Sequence, residues 1–231
     1  MKVAARVLYG SQNFYLYGPN SDYDYKLLMV PDFNELYSYH RVDKNDLPYF
    51  YDPEHYSVMS VMKFDENVRK GNVNALEMVF SREIVCYDNE LSTYFDVASQ
   101  AFADGYLEKV WPDFLRTARG MMMNSFDRYG VTRKTASRAM YLLCFAKYVA
   151  EHEFKVTTET WKYADVVSKP YALRFEDAPL PNIDEFIQQM DALEQNVTPD
   201  FTFTYDWNAQ LEATMKDYVY KHVKESYYAP V

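Results

Sequence analysis

The sequence predicts an α+β fold, a small mixed β-sheet part followed by a helical part, and three observations lead there. Short apolar runs of strand-like composition are confined to the first third of the chain. Beyond residue 89 the apolar residues recur at helical spacing. Strands and helices do not alternate regularly, which argues against a doubly wound α/β sheet. The boundary falls between a sheet domain over 1–88 and a helical domain over 89–231.

Residues 2–9 read as the first strand, with Val3, Ala5 and Val7 on one side. Residues 12–17 make a short helical turn, and 24–30 form a second strand that Pro31 and Asp32 end. The polar, turn-rich stretch 31–53 holds one short strand at 36–40, and 56–60 is the third main strand. Val61, Phe64 and Val68 then set a helical period that stops at Gly71-Asn72. Asn74 caps a short helix over 74–80, and 84–87 is a last strand. Helices follow over 89–102, 106–128, 132–152, 183–196 and 206–226. Ala136, Ala139, Met140, Leu143, Ala146 and Ala150 form a core-facing stripe on the third of these. Pro170, Pro179 and Pro181 make 168–182 a loop.

The 231 residues, 48% of them hydrophobic, suffice for a substantial core. A net charge of −10 disfavours broad binding to nucleic-acid backbones, which rests on Lys and Arg. A local basic cluster is available in Arg116, Arg119, Arg128, Arg133, Lys134 and Arg138. Cys86 and Cys144 have neither disulfide-framework nor metal-ligand spacing and read as small core residues. No run is long and apolar enough to span a bilayer and no signal peptide is evident, so a cytoplasmic setting is expected. His40, His152 and His222 have no partner spacing, and no Ser-His-Asp or Cys-His arrangement is present.

The chemistry concentrates between the first two strands. Gly10-Ser11 leaves the first strand, a Gly18-Pro19-Asn20-Ser21 turn follows, and Asp22-Tyr23-Asp24 opens the second. Carboxylates one residue apart on a strand share a face and repel, so a cation between them is expected. Tyr23 and Tyr25 then point to the opposite face, into the core. A Gly-Ser turn offers backbone N–H groups and a hydroxyl to a phosphate.

This segment resembles the signature of the DNA polymerase β-like nucleotidyltransferase superfamily. Its wording is closest to a bacterial and phage branch of predicted nucleotidyltransferases. Lys63-Phe64 followed by Lys70-Gly71-Asn72-Val73-Asn74-Ala75-Leu76-Glu77 is similar to a block of that branch, with Val73 where the branch has Pro. Arg133-Lys134-Thr135-Ala136-Ser137-Arg138, opening a long helix, is a third echo, with Ser137 where the branch often has His. The resemblance spans residues 5–150.

The resemblance implies transfer of a nucleoside monophosphate from a nucleoside triphosphate to a hydroxyl, releasing pyrophosphate. Asp22 and Asp24 would hold Mg²⁺ or Mn²⁺, and Gly10 and Ser11 would contact the terminal phosphates. A third ligand is expected from Glu54, His55 or Asp52, ranked in that order. Lys63, Lys134 and Arg138 are candidate nucleotide contacts, and Glu77 a structural acceptor of backbone hydrogen bonds. The acceptor is an RNA end such as that of tRNA, a protein or a small molecule, and no membrane partner is expected. The competing function is a catalytically inactive binding protein on the same scaffold, such as a phage or mobile-element inhibitor or a toxin–antitoxin component.

Overall fold

Four extended runs with apolar faces pair into one mixed sheet: β1 (Lys2–Tyr9), β2 (Asp24–Val30), β3 (Tyr56–Ser60) and β4 (Ile84–Cys86). Their order is β3-β2-β1-β4, with β1 antiparallel to β2 and β4 and β2 parallel to β3. A register shift between Val3 and Ala5 interrupts the β1–β2 ladder, which places both Ala4 and Ala5 in the core. These coordinates are a computed structural model that describes residues 1–38, 41–48, 51–52, 54–162, 164–198 and 205–228.

The helices among the described residues are α1 (Phe33–Tyr37), α2 (Val61–Arg69), α3 (Val73–Val79), α4 (Asn89–Ala103), α5 (Trp111–Tyr129), α6 (Arg133–Glu151), α7 (Ala164–Phe175), α8 (Ile183–Asn196) and α9 (Trp207–Tyr228). The class is therefore α+β, as expected. A single hydrophobic cluster joins Val7 and Leu28 of the sheet to Phe64, Leu76, Phe102, Phe114, Leu142, Met190 and Met215 of the helices. No helix among the described residues is long and apolar enough to cross a membrane.

Local chemistry explains where the elements depart from expectation. The strand expected over 36–40 is instead the helix α1, and residues 39–40, with His40, lie outside the described residues. Asp32 accepts from the Glu35 N–H at 2.9 Å and Glu35 accepts from the Asp32 N–H at 2.9 Å, a reciprocal cap that outweighs the aromatic composition. The α-amino group of Met1 pairs with Glu35 at 2.6 Å and reinforces it. Helix α3 starts one residue early because Asn72, not Asn74, is its cap, accepting from the Asn74 N–H at 3.0 Å. Gly71, at φ +62, makes the turn between α2 and α3. The helix expected over 106–128 splits into a 3-10 turn at Tyr106–Glu108 and α5, whose first turn holds Pro112.

The largest departure is α7, which occupies much of the expected loop 168–182 and carries Pro170 inside it. Tertiary contacts outweigh the proline. The buried Ser137 hydroxyl on α6 donates to the Pro170 carbonyl at 2.7 Å. Arg133 donates to the carbonyls of Leu173, Glu176 and Ala178 at 3.2, 2.7 and 3.0 Å, satisfying the end of the helix. Ser137→Ala is expected to cost about 1 kcal/mol in urea denaturation, by leaving a buried carbonyl without its donor.

Candidate functional site

The segment 10–23 is a tied-down loop. Gly10 has φ +81, and the Asn13 N–H donates to its carbonyl at 3.0 Å. The Phe14 and Leu16 N–H groups both donate to the Ser11 carbonyl, at 3.3 and 3.1 Å. Gln12 and Asn13 are buried and hydrogen-bonded: Gln12 Nε2 donates to the Ser21 carbonyl at 2.9 Å, and Asn13 Nδ2 to the Glu77 carbonyl at 2.8 Å. The Arg82 N–H donates to Asn13 Oδ1 at 3.0 Å, and Arg82 Nη1 to the Gln12 carbonyl at 2.7 Å. Sequence reasoning missed Gln12, Asn13 and Arg82, whose roles depend on contacts far along the chain.

The turn is set directly against Asp24. Tyr9, the last residue of β1, pairs with Asp24, the first of β2. A Cβ added to Gly10 would lie 2.7 Å from Asp24 Oδ2. Glycine is thus required twice, by backbone conformation and by the approach of the carboxylate.

Asp24 lines a cavity of about 520 Å³ with Gly10 and Ser11. Its far wall is a stripe on α5, Met121, Asn124, Ser125 and Arg128, together with Lys134 and Arg138 on α6 and Arg174 on α7. Four cationic side chains face one carboxylate among the lining residues. Among the described residues no carboxylate pairs with Arg128, Lys134 or Arg174. The Arg174 guanidinium instead lies 5.3 Å from the Phe175 ring centre, and burial lowers its pKa. Arg174 could not be seen in the sequence because its stretch reads as a loop.

The pair Asp22 and Asp24 is not a strand pair. β2 begins at Asp24, and Asp22 is exposed in the irregular segment before it. Asp22 lines a neighbouring cavity of about 380 Å³ with Ser21, Tyr23, Tyr25, His55 and Tyr56. The two carboxylates nevertheless feel each other. Burial raises the pKa of Asp24, Lys134 opposes this, Asp22 raises it further and His55 lowers it. Tyr23, expected in the core, is 55% exposed, because the strand alternation it was read from does not extend to it. Tyr25 is half-buried and stacks on Tyr56 with ring centres 5.4 Å apart.

Of the three residues expected to supply a third ligand, the strand register brings His55 next to Asp24. Tyr25 pairs with Tyr56 in the parallel β2–β3 ladder, and the Tyr25 N–H donates to the His55 carbonyl at 2.8 Å. His55 is therefore the neighbour of Asp24. Asp52, Glu54 and His55 bring ligand atoms within 4.8 Å of one another, with Asp52 and Glu54 exposed and His55 partly buried. The carboxylate oxygens of Asp22 and Asp24 suit a hard divalent cation, and the mutual repulsion at Asp24 is what such a cation relieves. The imidazole of His55 suits Mn²⁺ better than Mg²⁺.

Other sequence candidates fall elsewhere. Lys63 faces a different cavity, along α2 and α9, and pairs with Glu66 at 2.8 Å. Lys63→Ala is expected to leave triphosphate binding unchanged and to cost at most about 0.5 kcal/mol, checked by titration and denaturation. Of the basic cluster, Arg116 pairs with Asp113, Arg119 with Asp191, and Arg133 closes α7, so only Arg128, Lys134 and Arg138 of that set reach the 520 Å³ cavity. Glu77 does not act through its carboxylate on backbone donors. It is wholly buried and pairs with Arg138, Oε1 to Nη2, at 2.5 Å.

Comparison with known proteins finds no matching family model, no matching curated protein and no matching solved structure.

Proposed function

We propose that the protein is a divalent-metal-dependent nucleotidyltransferase of the DNA polymerase β-like kind, with a sheet domain over 1–88 and a helical domain over 89–231. The observation that carries the reading is the seating of Asp24 against the Gly10-Ser11 turn at the edge of a cavity walled by cations. A polyanion with a metal-binding end suits that wall, since three of its four cations lack a protein carboxylate among the described residues.

In this reading Asp22 and Asp24, with His55 beside them, hold Mg²⁺ or Mn²⁺. Such an ion, when bound, neutralises phosphate charge and lowers the pKa of an attacking hydroxyl. Gly10 and Ser11 present the turn to the terminal phosphates, and Arg128, Lys134 and Arg174 offset their charge across the cavity. The acceptor hydroxyl gives up its proton to solvent water, its oxygen attacks the α-phosphorus, the bond from that phosphorus to the α–β bridging oxygen breaks, and pyrophosphate leaves with the bridging oxygen. The acceptor approaches through the cavity at Asp22. Among the described residues that cavity is lined by Ser21, Asp22, Tyr23, Tyr25, His55 and Tyr56, and by no Lys or Arg. A protein or small-molecule hydroxyl fits it better than the backbone of a nucleic acid.

A binding-only scaffold is the second reading. It is favoured by one observation: a histidine, not a carboxylate, stands beside Asp24 just before β3. Incubating the protein with each of the four α-labelled nucleoside triphosphates, Mn²⁺, and candidate protein, RNA and small-molecule acceptors separates the two. Label transfer to a non-nucleic-acid acceptor is the expected result. Tight nucleotide binding with no transfer to any acceptor, and a biological effect that survives loss of Asp24, would favour the scaffold.

A further inference from the structure

Beneath the cavity lies a charged pair that the reaction itself does not use. The Glu77 side chain has no exposed surface, and neither of its oxygens makes a geometrically satisfied hydrogen bond among the described residues. Its Oε1 lies 2.5 Å from Arg138 Nη2. The Arg138 guanidinium lies against two rings that stack on each other, 4.6 Å from the centre of Phe14 and 5.0 Å from that of Tyr141. Its Nη1 is buried without a hydrogen-bond partner among the described residues. Arg138 nonetheless lines the cavity that Asp24 lines.

Burying a carboxylate together with most of a guanidinium is expensive, and an apolar pair of the same volume would serve stability as well or better. The location of the pair argues for another use. Glu77 sits on α3, and its backbone carbonyl accepts from Asn13 Nδ2, so the segment that holds the carboxylate is tied to the Gly10-Ser11 loop. We propose that Glu77 is a positioning residue: it fixes the Arg138 guanidinium in the cavity wall, in register with the Gly10-Ser11 turn, so that Arg138 engages the polyphosphate of the bound nucleotide. This deepens the nucleotidyltransferase reading and rests on it. Burial pushes the Glu77 carboxyl up to about 7, and Arg138 opposes that rise.

The test is a double-mutant cycle on binding of inorganic tripolyphosphate with Mn²⁺ to the full chain, with melting followed in parallel. Glu77→Gln and Arg138→Gln are each expected to weaken binding about tenfold, the scale of a lost charge-assisted hydrogen bond. The double variant is expected to bind no worse than Arg138→Gln alone, because Glu77 acts only through Arg138. It is also expected to melt above Glu77→Gln, which leaves a buried guanidinium unpaired. Should Glu77→Gln not fold, Glu77→Asp keeps the charge but draws it back by one methylene, and about threefold weaker binding is expected. Wild-type affinity in either Glu77 variant, or losses that add in the double variant, overturns the positioning role alone. Failure of the wild-type protein to bind tripolyphosphate sinks both this role and the nucleotidyltransferase reading.

Discussion

Asp24→Asn is expected to reduce metal-dependent nucleotide transfer by on the order of 10³-fold, the scale on which loss of one preorganised charge-stabilising group acts, while leaving the fold intact or firmer. The two halves of this expectation have separate causes. Asp24 is the carboxylate that the Gly10-Ser11 turn is built around, with Oδ2 at 2.7 Å from where a Gly10 Cβ would stand. It is also the carboxylate placed across the cavity from Lys134, Arg138 and Arg174. An amide of the same shape keeps the packing and removes the negative charge that a divalent ion requires. For stability the sign runs the other way. Burial and Asp22 raise the Asp24 pKa above 3.8, with Lys134 and His55 opposing. A group whose folded pKa is raised contributes stability that is full below the unfolded value and is lost as pH rises through the folded one. At neutral pH the ionised Asp24 is therefore a burden on the folded state, and Asp24→Asn should melt at the same temperature or higher. An active variant, or an inactive one that has also lost its fold, would contradict this separation of activity from stability.

The second large effect belongs to Gly10→Ala. Alanine brings a backbone penalty at φ +81 of about 1 kcal/mol. It also brings a Cβ that meets Asp24 Oδ2 at 2.7 Å, a contact that only displacement of the carboxylate can relieve. Because Asp24 starts β2 and pairs with Tyr9, the neighbour of Gly10, the displacement cannot spread into a flexible loop. We expect a loss of about 1–2 kcal/mol in urea denaturation, and, on the proposed function, a fall in transfer activity of about 10²-fold from misplacement of the carboxylate proposed to hold the metal. By contrast Ser11→Ala should leave stability nearly unchanged, because the Ser11 interactions that hold the turn run through its backbone carbonyl. Equal stability losses in the two variants would remove the close approach as the reason for glycine at this position.

What the sequence made legible is what local chemistry decides. The strands at Lys2–Tyr9, Asp24–Val30 and Tyr56–Ser60 follow from apolar runs bounded by turn residues, and α8 falls where a helix was expected over 183–196. The Gly10-Ser11 turn, Asp24, Lys134 and Arg138 were each readable and do line one cavity. Other features are decided by partners distant in sequence. Helix α7 survives Pro170 because Ser137 and Arg133 satisfy its carbonyls from α6, and only that docking brings Arg174 to the cavity. Glu77 is legible as a motif residue, but its pairing with Arg138 requires α3 and α6 to meet. Asp22 was read from strand alternation that stops at Asp24, one turn of geometry that composition does not record. The helix α1 is a different case: the Asp32 and Glu35 cap was present in the sequence and outranks the aromatic residues that suggested a strand.

The most direct measurement of the central claim is calorimetric titration of the protein with a nonhydrolysable nucleoside triphosphate, in Mn²⁺ and again after chelation, repeated on Asp24→Asn. The account predicts binding that needs the metal in the wild-type protein and loses its metal dependence in the variant. Triphosphate affinity that is the same with and without the ion, or that keeps its metal dependence when the Asp24 charge is gone, would contradict it.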